Sequence, residues 1–360
     1  MFRLLRLGII LISVLALTFS FACEGDQGPQ GPQGEPGEPG DPGQDLTIAP
    51  PPDTYVSFAV FNQFDGTDIN YRSRDFIRIT FDTSQTPTDE LIVAAFVDAS
   101  PVIDGVDGDI DEWGFEAGDE MDLYESDVPL TAALGTDNEI SEVSVRCVYD
   151  ARYIYFFLRW SEESTADFEE GENRNLMEWE NDGVSTFDPI MVGSEDRAWL
   201  MFLTDRSYVP GEADCLLECE AENAALQSGM MIDAWDWRAC LTDLTGFADD
   251  GYLEYVANEL SGFTADDGGA AFMRNESGGL PEWMYYDDPN ANGNYPFWFR
   301  FAVPFVDGNW ARNANVPGYM ALIPYGDRAS VETASTYENP RWTLEIKRLR
   351  NTGSGNDIQF

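Results

Sequence analysis

The stretch GMMIDAWDWRAC, residues 229–240, gathers residue types on which chemistry could rest. Met230 and Met231 carry soft sulfurs, Trp235 and Trp237 large rings, Arg238 a guanidinium and Cys240 a thiol. Successive side chains of a strand alternate, so the Trp-x-Trp spacing puts both rings on one face. Such a face serves as a core, a sugar-stacking platform or a wall of a cofactor pocket. A second constellation is IDGVDGDIDEW, residues 103–113, where Asp104, Asp107, Asp109 and Asp111 crowd hard oxygen ligands that suit calcium. Its EF-hand register fails, because Glu112 stands where the sixth-position glycine belongs, and a solvated acidic turn is the competing reading. The chain has no histidine, which excludes Ser-His-Asp and Cys-His nucleophiles and any His-held zinc or haem. Phosphate loops and dinucleotide fingerprints are absent as well. With 66 acids in the chain, a pair of neighbouring carboxylates carries no information about glycoside hydrolysis.

The remaining thiols are Cys23, Cys147, Cys215 and Cys219. In an exported chain, Cys147, Cys215, Cys219 and Cys240 suggest two disulfides with three possible pairings. A short loop closed by Cys215 and Cys219 leaves Cys147 for Cys240. Zinc held by four thiolates is the alternative, but the two close C-x2-C pairs usual for it are missing.

The elements that must position these residues are strands. TYVSFAVFNQF and DFIRITFD alternate, ELIVAAFVD reads as buried, and EVSVRCVYD, YIYFFLRW, RAWLMFLTD, PFWFRFAVPF, GYMALIPY and RWTLEIKRL follow. Aromatic and β-branched residues dominate these runs, and Gly, Asp, Asn and Pro separate them. Helical periodicity is confined to LLECEAENAALQ, residues 216–227. The expectation is an all-β fold, a β-sandwich with long loops, in one domain over residues 55–360. Residues 55–97 are expected as added edge strands or a small separate module.

Residues 1–22 read as an export signal: Arg3 and Arg6, then an apolar run from Leu7 to Leu17 that is short for a bilayer span. Ser20-Phe21-Ala22 before Cys23 resembles a lipobox, which makes Cys23 the lipidation site; an ordinary cleaved signal is the alternative. Residues 23–54 form a tether. Glycine recurs at 25, 28, 31, 34, 37, 40 and 43, the Gly-X-Y period of collagen, where only glycine fits the axis of three chains. At about 3.1 Å per residue the tract would lift the domain roughly 60 Å from a membrane, as a single-chain stalk or as a homotrimer. The expected location is extracytoplasmic, on the periplasmic or outer surface, with lipid as the membrane attachment. Formal net charge is −46, and becomes −48 once Arg3 and Arg6 leave, with 18 basic residues against 66 acidic. Nucleic acid and anionic membrane surfaces are poor partners for such a chain. A carboxylate coat of this density suits a salty medium, where counterions screen self-repulsion.

Five segments, in order, resemble the haem-binding domain of the ethylbenzene dehydrogenase γ-subunit type, also described as cytochrome c-552/DMSO reductase-like. They are PVIDGVDGDIDEWG, VYDARYIYFFLRWSEESTAD, EDRAWLMFLTD, the pair DCLLECE and MIDAWDWRA, and RWTLEIKRLRNTGSGNDIQF. Together they cover residues 98–360. Family 9 carbohydrate-binding modules share the Ile-Asp-Gly opening and the sandwich, which keeps a glycan-binding module with a calcium site as the rival reading. The resemblance implies one b-type haem and a non-catalytic electron-transfer module, with a redox partner protein in an exported respiratory chain. In members of this family a methionine and a lysine ligate the iron; carried onto this sequence, Met230 or Met231 would ligate iron, Trp235 and Trp237 would wall the ring and Arg238 would pair with a propionate, while Tyr319 and Met320, near an expected strand start, are the candidates for a second ligand. The chain departs from the pattern at Cys219-Glu220, where relatives have Cys-His, and at Asp236, where many have His. The single lysine, Lys347, matches no ligand position. A structural surface lipoprotein that has lost haem is therefore the third reading.

Overall fold

The computed structural model describes residues 49–64, 68–73, 76–105, 125–132, 142–161, 177–181, 187–191, 195–207, 228–256, 259–286, 296–306, 312–338 and 341–360. The export signal, Cys23, the Gly-X-Y tract, Asp107, Asp109, Asp111, Cys215, Cys219 and the helix expected at 216–227 all lie outside them. Ala49–Phe360 forms one compact unit. Among the described residues no helix is long and apolar enough to cross a membrane.

The fold is all-β. Its strands are β1 (Thr54–Phe64), β2 (Asp68–Ser73), β3 (Ile77–Thr80), β4 (Leu91–Phe96), β5 (Ser126–Pro129), β6 (Thr131–Ala132), β7 (Glu142–Tyr149) and β8 (Tyr153–Ser161). Then come β9 (Met177–Asn181), β10 (Phe187–Met191), β11 (Glu195–Leu203), β12 (Met231–Arg238), β13 (Asp249–Val256), β14 (Glu259–Leu260) and β15 (Thr264–Ala265). Eight short strands follow, β16 to β23: Gly268–Gly269, Phe272–Arg274, Trp283–Tyr285, Phe297–Trp298, Ala302–Pro304, Asn315–Pro317, Tyr319–Ala321 and Tyr325–Gly326. The hairpin β24 (Val331–Tyr337) and β25 (Arg341–Leu349) closes the series. Helical structure in the described residues is limited to short 3-10 turns such as Asp243–Thr245.

One sheet runs in the order β14-β13-β12-β11-β1-β3-β4-β7-β8-β25-β24. Its pairs are antiparallel except β3 with β4 and β4 with β7, which are parallel. Rings from the two halves of this path meet edge to face. Phe156 of β8 packs on Trp235 of β12, and Trp342 of β25 packs on Trp237, with centroids 5.7 and 5.0 Å apart. The curled sheet thus closes into a sandwich around one core, which also takes Val56, Phe58, Ile79, Ile92, Val145, Leu200, Phe202 and Phe360. Each buried tryptophan removes about 150–250 Å² from water, about 4–6 kcal/mol gross at ~25 cal/mol/Å².

Residues 55–97 are not added at an edge. β1 pairs with β11 on one side and with β3 on the other, and β4 reaches β7, so this segment joins the two halves of the sandwich. The reason lies in β1 itself: Val56, Phe58 and Val60 enter the main core, while Ala59 enters a second cluster on the opposite face. A strand buried on both faces belongs mid-sheet.

Candidate functional site

Strand alternation divides the tryptophan strand cleanly. Asp233, Trp235 and Trp237 point into the sandwich core. Met230, Ile232 and Ala234 point the other way, into a separate cluster with Met201, Leu203, Leu253 and Tyr255. Asp236 and Arg238 share that second parity, and Met231, half-buried, has the parity of the tryptophans.

Both tryptophan rings are fully enclosed by other rings. Trp235 has Phe202 at 4.5 Å, Phe156 at 5.7 Å and Phe360 at 6.4 Å, with the Arg348 guanidinium 5.0 Å from its centroid. Trp237 lies between Trp342 and Trp160, at 5.0 and 5.9 Å, and its indole N–H donates to Asp243 at 3.1 Å. Arg238 is engaged by Glu195, with Nε 2.8 Å and Nη2 2.5 Å from Oε2. Burial opposes its charge, but Glu195 and Asp236 outweigh that and hold it protonated. Met320, fully buried on β22, lies opposite Met273 of β17 and Phe297 of β19 in a separate small sheet. Lys347 gives its ammonium to Glu332 at 2.7 Å and rests over the Tyr153 ring.

The residues to which the resemblance assigned haem therefore do not fit a haem as they stand. Of the two expected ligands, Met230 precedes β12 and shares the parity of Arg238, whereas Met231 shares that of Trp235 and Trp237; both tryptophan rings are already packed against Phe202, Phe156, Trp342 and Trp160. Trp235 and Trp237 are core.

The disulfide expected between Cys147 and Cys240 is not formed. Cys147 is a free thiol deep in the main core on β7, whereas Cys240 lies past the end of β12 beside Leu241 in a different cluster. Asp104 is exposed, and its amide and that of Gly105 donate to Glu345 Oε2 at 2.9 and 2.8 Å.

What the motifs build instead is a buried polar frame. Glu195, at the start of β11, accepts the amides of Cys240 and Leu241 at 3.1 Å on Oε1 and Arg238 on Oε2, which ties down the turn after β12. Asp196 accepts the Trp342 indole N–H at 2.9 Å, linking β11 to β25. Arg197 and the Trp199 indole both donate to Asp236, at 3.1 and 2.6 Å. Glu345 holds the Ile-Asp-Gly turn. Arg348 on β25 is fully buried and donates through Nη1 to Asp233 at 2.6 Å; its Nη2 faces Asp250 at 3.5 Å and pairs with Asp357. Asp233 also accepts the Ile358 amide at 2.8 Å, so this cluster fastens the C-terminal segment to β12.

Asp233, Asp250, Asp357 and Arg348 were not singled out in the sequence. A signal existed: Asp233 shares strand parity with Trp235 and Trp237, which places a carboxylate among core rings. Burial pushes the Asp233 carboxyl up to about 6 against the pull of Arg348, and raises Asp250 well above the ordinary carboxylate range.

A curled all-β sandwich whose strand-end acids and arginines lock one another in place defines the class. The ethylbenzene dehydrogenase family model matches residues 113–360, and the chain belongs to that family. No curated protein matches the chain.

Proposed function

We propose that the chain is an exported, lipid-tethered and non-catalytic binding subunit of the ethylbenzene dehydrogenase family, working without haem at the residues that the resemblance names. The observation that carries this reading is the enclosure of Trp235 and Trp237 in the core, where rings from distant strands already pack against the expected pocket walls. Haem b would need open space beside the expected walls, whereas Trp235 and Trp237 are 1% and 0% exposed, which favours a role without it. The absence of histidine removes the commonest acid-base and nucleophilic sites and agrees with a binding role. Cys23 and the Gly-X-Y tract support a tethered, extracytoplasmic location, from which the module would meet another exported protein of the same chain of subunits. Titration of the purified protein with hemin tests the reading: it requires no saturable one-to-one Soret change, and a stoichiometric, methionine-dependent one would refute it. Changing Cys23 to Ala is expected to release the protein from the membrane fraction.

A glycan-binding role is the second reading, favoured by an aromatic surface on the short strands. Tyr286 is 55% and Phe299 40% exposed. Trp283 packs on Phe299 at 5.2 Å, Tyr285 on Tyr286 at 5.0 Å, and Arg300 covers Phe301 at 4.7 Å. Exposed apolar patches of this kind mark binding surfaces. Glycan-array binding lost in Tyr286→Ala and Phe299→Ala would establish it, and an empty array would dismiss it.

A further inference from the structure

We propose that Asp233, Asp250 and Asp357 form a calcium site, completed beside the Arg348 guanidinium. One carboxylate oxygen from each residue lies within 4.8 Å of those of the other two. Calcium–oxygen distances of about 2.3–2.6 Å allow one ion to touch oxygens that far apart. The three residues are 0%, 0% and 5% exposed.

Their hydrogen bonding leaves room for a cation. The Oδ2 atoms are used: Asp233 Oδ2 accepts from Arg348 and the Ile358 amide, Asp250 Oδ2 from the Ser330 hydroxyl, and Asp357 Oδ2 from the Thr352 hydroxyl. The Oδ1 atoms of all three are buried and accept no hydrogen bond. The adjoining Asp266 carboxyl has a buried Oδ2 and faces Asp357 within hydrogen-bond reach, so these two acids crowd each other as well. A buried carboxylate oxygen without a donor is costly, and several together are more so. Charge points the same way. Three buried carboxylates face one guanidinium, and a single divalent cation would bring the group to neutrality.

The donor chemistry selects the ion. All the ligands are hard oxygens, with no imidazole or thiolate in the group, which disfavours zinc and copper. Magnesium keeps several of its waters and is usually held by one or two carboxylates, whereas here three buried carboxylates would supply the ligands. Calcium accepts irregular oxygen cages, and extracytoplasmic modules commonly bind it with dissociation constants of about 10⁻⁴–10⁻³ M. This site is separate from the acidic turn that begins at Asp104.

The test uses the mature full-length chain, stripped with chelator and held in high salt so that the carboxylate coat does not compete. Calcium is titrated by calorimetry, and terbium is titrated with luminescence excited through Trp235, whose ring lies 5.0 Å from the Arg348 guanidinium. The proposal expects one saturable calcium per chain, a higher melting temperature with calcium than with magnesium, and tryptophan-sensitised terbium emission that calcium displaces. Asp357→Asn and Asp250→Asn, each checked for folding by circular dichroism, are expected to weaken calcium binding at least 10-fold. Three results would overturn it: no saturable site in folded protein, a site unaffected by both substitutions, or melting that ignores calcium yet rises as pH falls from 8 to 5. The last would assign neutralisation of the cluster to protons.

Discussion

Changing Glu195 to Gln probes the frame at its most loaded point. The Glu195 side chain is 0% exposed, and it accepts two amides and two guanidinium N–H groups. Glutamine keeps an oxygen for the Cys240 and Leu241 amides but turns a donor toward Arg238, leaving that guanidinium without its carboxylate. Breaking a buried ion pair costs about 3–5 kcal/mol. Arg238 keeps 16% of its side-chain exposure, and the Asp236 charge also acts on it, so the lower end applies, about 3 kcal/mol. That is a large share of the ~5–15 kcal/mol that holds a typical domain. Urea unfolding followed by tryptophan fluorescence measures it, provided that the slope m is unchanged. The double variant Glu195→Gln/Arg238→Met removes both partners, and a coupling above about 1.5 kcal/mol is expected. If Glu195→Gln costs less than about 1 kcal/mol, or if the two changes simply add, Arg238 is not committed to Glu195 and the case for a structural Arg238 fails.

Asp150 holds the amides of Arg152 and Tyr153 and the hydroxyls of Ser100 and Tyr155; burial raises its carboxyl, but these bonds prevail and lower it below 3.8. Its stabilisation is therefore fully present above pH 3.8 and lost as pH falls through the folded value, so Asp150→Asn should cost about 1–2 kcal/mol in urea at pH 7 and progressively less as pH falls below 3.8. Gly105 has φ +78° and an added Cβ would meet the Ser335 backbone oxygen at 2.8 Å, so Gly105→Ala should lower stability by about 1–3 kcal/mol in the same assay. Burial raises the Cys147 thiol well above its usual range, so thiol reagents should label Cys147 only after unfolding, as read by peptide mass.

Strand identity was legible because local alternation encodes it. YIYFFLRW appears as β8 nearly to the residue, RAWLMFLTD as β11 shifted two residues toward the N-terminus, and the Trp-x-Trp pair does share a face. Strand order was not legible. Nothing local to TYVSFAVF says that its neighbours are β11 and β3, which is why residues 55–97 were expected at an edge or as a small separate module and turned out to bridge the halves. The same limit governs the site. Period-two parity already separates Met230 and Arg238 from Trp235 and leaves Met231 with the tryptophans, so this division of the expected site residues could have been read from sequence alone. What fills the tryptophan face could not, because Phe360, Trp342 and Phe156 arrive from distant strands. Arg238 meets an acid 43 positions away and Arg348 one 115 positions away. The family motifs were recognisable in order, yet their role in a shared buried frame emerges only when the strands pair.

The most direct measurement is an absorbance spectrum of the mature protein, exported in a haem-sufficient host and recorded oxidised and then reduced. The account predicts no stoichiometric Soret band, with Met230→Ala and Met320→Ala leaving the spectrum unchanged while lowering stability by about 2–5 kcal/mol as core truncations. One haem per chain, with sharp reduced α and β bands that either methionine substitution abolishes, would contradict it.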